Sequence, residues 1–298
     1  ALPSNVLREI VSSFSGNGVV KLTHTGDIVV LSGDGVKSSI KTLSLEDFPT
    51  LPTPQESKTK LSLSGNILRT LISLVAPYAS VSTVRPELAS VLLSAECGVV
   101  KAVATDSFRL PEKKVSVSGT VAPFAILIPA KNAQSIVETI PDTDVTISAD
   151  EHQCAFSWAS GVIVTRLVSV SYPDYAQIIP KAFIANATVL RKDFELALRR
   201  ASIFSDAFQK VRLGLDVKNK LLTLSSRNND VGESAEEIRG AVTGEAIELS
   251  FNHRYLHAPL ASMSEESITL SSSGIGRPLV IRGVGDTSFL YLVMPMNQ

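Results

Sequence analysis

The sequence predicts an α+β fold assembled from five copies of one half-module, each an amphipathic helix followed by a meander of short strands. Three observations carry that prediction. Helix starts recur at roughly sixty-residue intervals, a period far above that of common solenoids. The segments between the helices alternate apolar and polar residues, as half-buried strands do. Turn-forming groups such as Gly26-Asp27 and Lys218-Asn219-Lys220 separate the alternating runs.

The helices are expected over Ser4–Val11, Ser64–Ile72, Lys131–Glu138, Arg191–Leu198 and Asn252–Ala258, each with apolar residues at three-and-four spacing on one face. Asn or Ser stands at or near most of their starts, where a side-chain oxygen is placed to cap free backbone N–H groups. Pro259 removes one helical hydrogen bond, so the fifth helix is expected to kink or stop early. Strand pairs are expected over Val19–Thr23 with Ile28–Leu31, and Leu213–Val217 with Leu221–Leu224. A third meander runs from Asp144–Ser148 through Ala155–Trp158 to Val162–Leu167. Such meanders form antiparallel sheets with one buried face, and helices covering that face give the α+β class.

Pairing the copies divides the chain into 1–53, holding one, and 54–180 and 181–298, holding two each. Pro49, Pro52 and Pro54 mark the first boundary, and Tyr172-Pro173-Asp174-Tyr175 through Lys181 marks the second. A sixth copy ahead of Ala1 would complete three equal domains. The N-terminus lacks an initiator methionine and the charged and apolar regions of a signal peptide, and reads as the interior of a longer protein.

No apolar run approaches the roughly 20 residues that span a bilayer. Cys97 and Cys154, the two cysteines, fall in strand-like segments without metal-ligand spacing and are expected as reduced core thiols of a cytosolic protein. A net charge of −1 excludes a globally basic nucleic-acid binder but not a locally basic surface. The repeated helices carry Arg8, Arg69, Lys131, Lys192, Arg199, Arg200 and Arg254. Gathered on one concave wall, these cations would hold a phosphate backbone without reading sequence. No aromatic residues interleave with them in the manner of single-strand binders.

Catalytic signatures are missing. His24, His152, His253 and His257 lack companion ligands, and there is no phosphate-binding loop, dinucleotide fingerprint or nucleophile elbow. Asp142/Asp144 and Glu236/Glu237 read as solvated charges. The expectation is a non-enzyme with no metal and no cofactor.

Contact chemistry is more legible. Thr105-Asp106-Ser107-Phe108-Arg109-Leu110 reads as a type I turn, with Asp and Ser as local caps, that displays an aromatic and an arginine. The tyrosines of Tyr172–Tyr175 can staple neighbouring domains. The chain closes on an apolar strand ending Val293-Met294-Pro295-Met296, an adaptable surface suited to partner binding.

Together, Val103–Leu110, Tyr172–Tyr175, Phe251-Asn252-His253-Arg254-Tyr255-Leu256, Tyr291–Met296 and Glu46-Asp47-Phe48-Pro49 resemble the bacterial sliding clamps, the beta subunits of DNA polymerase III. The resemblance implies the DNA-clamp fold of three similar domains, here without the N-terminal half of the first. It implies a cytoplasmic, non-catalytic processivity factor that closes head to tail as a homodimer around duplex DNA. Its partners would be the polymerase III catalytic subunit, the clamp loader and other proteins carrying a clamp-binding motif. Carried over, the partner-peptide pocket comprises Leu88, Thr105, Ser107, Phe108, Arg109, Leu110, Pro173, Gln177, Ile178, Pro278, Leu292, Val293, Met294, Pro295 and Met296. The helix cations above would face DNA, and Ser38, Ile40, Ile203 and Phe204 would form the dimer contact. Phe108, Gln177 and the Asn297-Gln298 tail depart from the family's usual residues. Two rival readings are an antiparallel β-rich scaffold without nucleic-acid function, with cations on both sheet faces, and a hydrolase with a Ser or Asp beside a His in an interdomain cleft.

Overall fold

A computed structural model describes residues 1–14, 18–33, 35–44, 46, 54, 59–118 and 121–296. The expected signature Glu46–Pro49, the linker prolines Pro49 and Pro52, and the Asn297-Gln298 tail lie wholly or partly outside the described residues. The chain divides into two compact units, Ala1–Pro52 and Thr53–Gln298.

The first unit holds one half-module: α1 (Ser4–Ser13) and the antiparallel sheet β1 (Lys21–Thr25), β2 (Ile28–Gly33) and β3 (Val36–Lys41). Its core is small. Val29, Leu31 and Ile40 are buried, with Leu2, Leu7, Ile10 and Val20 packed against them.

The second unit holds four half-modules. The first runs β4 (Thr59–Ser64), α2 (Gly65–Ser73), β5 (Ser90–Glu96), β6 (Val99–Val103), β7 (Arg109–Ser116). The second runs β8 (Phe124–Pro129), α3 (Ala130–Thr139), β9 (Asp144–Ala149), β10 (Gln153–Trp158), β11 (Gly161–Arg166). The third runs β12 (Ala185–Leu190), α4 (Arg191–Ile203), β13 (Lys210–Asp216), β14 (Leu221–Asn228), β15 (Gly232–Arg239), with a short β16 (Ala241–Gly244). The fourth runs β17 (Ile247–Asn252), α5 (His253–His257), β18 (Ser267–Ser272), β19 (Leu279–Gly283), β20 (Phe289–Val293).

Each lead strand leaves its own meander and pairs with its neighbour's: β4 with β9, β8 with β5, β12 with β18, β17 with β13. The exchange sets how the helices begin. The expected side-chain caps are absent from the first four helices, and only Asn252 accepts a cap bond, from the Arg254 N–H. At α2 through α5 a backbone carbonyl of the neighbouring half-module takes up a helix-start donor. The first helical N–H donates to the residue preceding the partner meander: Gly65 to Thr143 (2.9 Å), Ala130 to Ala89 (2.9 Å), Arg191 to Glu266 (2.8 Å), His253 to Gln209 (2.9 Å). The strand ladder thus continues one bond into each helix and satisfies a donor that would otherwise lack an intrahelical partner.

β20 then pairs antiparallel with β7, fusing two four-stranded arrays and β16 into one nine-stranded sheet. Residues opposite one another share a face. Tyr291 stands opposite Pro111 and Leu292 opposite Leu110. On one face Phe289, Tyr291 and Val293 join the core around α4 and α5, while Val91, Leu93 and Ala102 join the core around α2 and α3. On the other face Leu92, Val103, Leu110, Leu290 and Leu292 are covered by the connecting segment, through Val168, Tyr172, Tyr175, Ile179 and Phe183. All four helices of this unit therefore lie on one side of the sheet, and the segment containing the expected boundary near residue 180 lies on the other.

α5 stops at His257, and Ala258–Ser262 tightens into a 3₁₀ turn whose first positions accommodate Pro259. The cysteines split. Cys154 is buried, and burial pushes its thiol pKa up to about 12, whereas Cys97 is exposed in the β5–β6 turn with φ of 50° and is not a core thiol.

Gly65 begins α2 against the next half-module, and a Cβ built there meets the Pro141 carbonyl oxygen. Helix propensity alone would favour Ala by about 1 kcal/mol. The backbone contact outweighs it, because overpacking of a closed site costs typically 1–3 kcal/mol. Gly65→Ala is expected to lower the urea unfolding midpoint; an unchanged or raised midpoint would show that the junction tolerates a Cβ.

Candidate functional site

At the β7–β20 seam the chain builds an apolar cavity of roughly 290 Å³. Its entrance is the turn between β6 and β7. Asp106 Oδ1 accepts the N–H groups of Phe108 (2.9 Å) and Arg109 (2.8 Å), and Thr105 Oγ1 accepts from Ser107 N–H (3.1 Å). Ser107 adopts a φ of 78° and caps nothing, unlike the reading of the turn from sequence, so Asp106 and Thr105 organise it. Phe108 is displayed with 57% of its surface exposed. Its carbonyl accepts the Met294 N–H (2.8 Å), extending the β7–β20 ladder one residue past β20.

Arg109 locks the seam. Its Nε and Nη2 donate to Asp106 Oδ2 at 2.9 and 2.7 Å. Its guanidinium lies 4.4 Å from the Tyr255 ring centre and 5.2 Å from that of Tyr78. Tyr78 meets Tyr291 edge-on at 5.4 Å, and the Tyr291 hydroxyl donates to the Tyr255 carbonyl (2.8 Å). Phe108 stacks against Tyr255 at 6.2 Å. Burial is the largest single influence and works against the Arg109 charge, but the hydrogen bonds to Asp106 and the charge of Asp106, with smaller contributions from Tyr291 and Tyr255, together raise the guanidinium pKa. Arg109 is therefore a permanently charged strut within the wall, with cation–π contacts of about 0.5–2 kcal/mol each.

Leu88, Thr105, Ser107, Phe108, Arg109, Leu110, Pro173, Ile178, Leu292 and Met294 line this one cavity. Three further lining residues, Arg85, Tyr172 and Tyr175, were not among the expected ones. Tyr175 donates to Glu112 Oε2 (2.7 Å), and burial, reinforced by that carboxylate, raises its pKa. The buried Tyr172 hydroxyl has no hydrogen-bond partner among the described residues. Tyr255 was missed as well, although it sits in a motif singled out for its neighbours.

The other expected pocket residues fall elsewhere. Gln177 and Pro278 line an adjacent cleft of about 370 Å³, which shares Ile178 and Met294 with the first cavity. Val293 is fully buried in the core around α4 and α5, because alternation along β20 turns it away from Leu292. Past Met294, the Met296 N–H donates to the Ser250 carbonyl (2.8 Å), and neither Pro295 nor Met296 lines the cavity.

Cations on the helix side sort into free and tied. Arg199 and Arg254 share a cleft of about 450 Å³ between α4 and α5 with His253 and His257. His253 faces Gln209 Oε1 at 2.8 Å; burial first, then the Arg254 and His257 charges, lower its pKa. Arg199 and Arg254 supply the permanent positive charge of this cleft, which Glu195 also lines. Lys131 and Lys192 are exposed on α3 and α4, and Arg8 is exposed on α1 in the other unit. Two of the expected cations are tied to groups of this chain. Arg69 donates to the Val137 and Ile140 carbonyls (3.2 and 2.7 Å) and pairs with Asp142 (2.6 Å), so it caps the end of α3. Arg200 is bound through Nε and Nη2 to Glu236 (2.9 and 2.6 Å).

At the expected dimer contacts, Ile203 is exposed and Phe204 half-buried beside Gly232, and Ser38 is half-buried on β3. Ile40 points into the core of its own unit and offers no side chain to a partner. Among the described residues no cluster of His, Cys, Asp and Glu is placed to hold a metal ion, and no helix is long and apolar enough to cross a membrane.

Comparison with known proteins matches this architecture throughout. The profile described as "DNA polymerase III beta subunit, central domain" covers residues 62–174, and that of the C-terminal domain covers 176–297. The beta sliding clamp of Streptococcus pneumoniae is 30% identical over 93% of this chain and 74% of its own length. That of Synechococcus elongatus is 28% identical over 99% and 80%. The crystal structure of the DNA polymerase sliding clamp from Pseudomonas aeruginosa superposes with a TM-score of 0.92 at 22% identity, over 100% of this chain and 81% of that one. With its exchanged half-modules and seam cavity, this chain belongs to the beta sliding clamp family, the beta subunits of DNA polymerase III.

Proposed function

We propose that the protein is a DNA polymerase processivity factor without chemistry of its own: a clamp that encircles duplex DNA as a head-to-tail homodimer. The observation that carries the reading is the apolar cavity at the β7–β20 seam, within a fold shared with sliding clamps. Its walls suit a short segment bearing Leu or Phe, guided by a few polar groups. The polymerase III catalytic subunit, the clamp loader and other replication or repair proteins would dock there in turn. Tethering raises a partner's effective concentration at the primer end. A closed ring stays on DNA by topology, so weak, screened attraction between helix cations and phosphate suffices and permits sliding. Residues 54–180 and 181–298 act as two clamp domains of this ring, with 1–53 contributing to a third, in a bacterial cytoplasm.

Closure has a physical candidate. β3 and β15 are edge strands of their sheets, and free edges invite pairing with another chain. β3 carries Lys37 and Lys41, and β15 carries Glu233 and Glu237, all exposed. Next to β15, Ile203, Phe208 and Val231 are exposed apolar side chains. We assign the dimer contact to these two edges, with Ser38 on β3 and Ile203 and Phe204 opposite.

Four outcomes test the proposal. Phe108→Ala with Met294→Ala is expected to weaken binding of a polymerase-tail peptide about tenfold or more and to shorten primer-extension products; unchanged processivity removes the pocket from the account. Arg199→Glu with Arg254→Glu is expected to reduce retention on circular duplex DNA and its salt slope, by about one for each lost phosphate contact. Arg69→Met is expected instead to cost about 1–3 kcal/mol of stability with little change in retention, and the reverse pattern would return Arg69 to the DNA wall. Glu233→Lys with Glu237→Lys is expected to shift light scattering from dimer to monomer.

A further inference from the structure

Ile178 and Met294 line both the apolar cavity and the second cleft, so the two lie side by side. The flank of a segment seated in the first would lie next to the second, where the chemistry of the lining changes. The second cleft is lined by Lys181 and Arg277, both exposed. Neither makes an ion pair among the described residues. The acid beside it, Asp174, has Oδ2 engaged by the Gln177 side-chain amide at 2.8 Å. The two cations come from different segments. Lys181 follows Pro180 where the connecting segment leaves the outer face of the sheet, and Arg277 sits in the β18–β19 turn, its N–H donating to the Gly274 carbonyl (3.2 Å). Fold and sequence thus bring two positive charges, neither in an ion pair among the described residues, to a cleft beside the apolar pocket. A cation beside a low-dielectric wall attracts a carboxylate more strongly than one in open water. An arginine fork and a lysine ammonium can engage one or two such groups.

We propose that this cleft reads acidic residues flanking the apolar anchor of the partner segment, so that the clamp selects its clients by charge as well as by the anchor. The inference rests on the reading of the seam cavity as a peptide site. It assigns Lys181 and Arg277 as specificity determinants that contact the flank and not the anchor.

The test uses three fluorescein-labelled peptides with a central Leu-Phe anchor: one flanked by serines, one with two aspartates on the N-terminal side, and one with two on the C-terminal side. Affinities are read by anisotropy on the full chain. One acidic peptide is expected to bind about 3- to 10-fold tighter than the serine peptide at low salt, with the advantage shrinking as salt rises. Lys181→Glu with Arg277→Glu should invert that order, and Lys181→Met with Arg277→Met should level it. Both variants should leave the serine peptide unchanged. Equal affinities for the three peptides on the native chain, or an acidic advantage that survives both variants, overturns the proposal. Failure of the serine peptide to bind the native chain is a different result: it removes the peptide site itself, and the inference with it.

Discussion

One backbone hydrogen bond, made four times, holds the larger unit in its arrangement. At each strand-to-helix passage the first helical N–H finds a carbonyl that belongs to the neighbouring half-module. Without that carbonyl a buried donor would go unsatisfied, at a cost of about 1–3 kcal/mol. The bond exists because the lead strand has already crossed to the neighbour's sheet. A half-module therefore cannot complete either its sheet or its helix start alone. This reciprocity explains why the copies appear in pairs, and why each pair encloses a core that includes two helices and both sheets.

The seam between the pairs follows from the same logic. β7 and β20 end the meanders of the first and fourth half-modules, and their pairing fuses two arrays into one sheet. A fused sheet leaves a concavity where the β6–β7 turn rises above the new neighbour. Asp106 fixes the shape of that turn through two backbone N–H groups and holds Arg109 against the tyrosines. The cavity is built on β7 and β20 through Arg109, Leu110 and Leu292, and the turn at its rim is hydrogen-bonded; an ordered site spares a ligand the entropy of ordering it.

Much of this was legible in the sequence. Period-3.6 patterning located all five helices, and alternation located three of the five meanders; β13, buried at every second residue, is an example. Turn chemistry identified Thr105–Leu110 as a contact loop. What stayed hidden depended on distant partners. Arg69 and Arg200 look like any solvated helix cations until the fold brings Asp142 and Glu236, 73 and 36 residues away, against them. The helix starts carry Ser and Asn, so side-chain capping was the local reading, but strand exchange supplied the acceptor from elsewhere. Val293 is different, since alternation along its own strand already set it opposite Leu292 and Met294. Arg85 carried no local signal, and it lines the cavity only because its loop runs beside β5.

The brevity of α5 matters beyond its own packing. Within five residues it presents Tyr255 to Phe108 and Arg109 on the pocket side, and Arg254, His253 and His257 to the cleft on the helix side. A single turn has no spare length to absorb a shift, so any replacement that tilts it is felt on both sides at once. Mutations here should be pleiotropic, changing client choice and grip on nucleic acid together. In the proposed reading, adaptation to new clients falls to Lys181 and Arg277, which line a cleft that α5 does not touch.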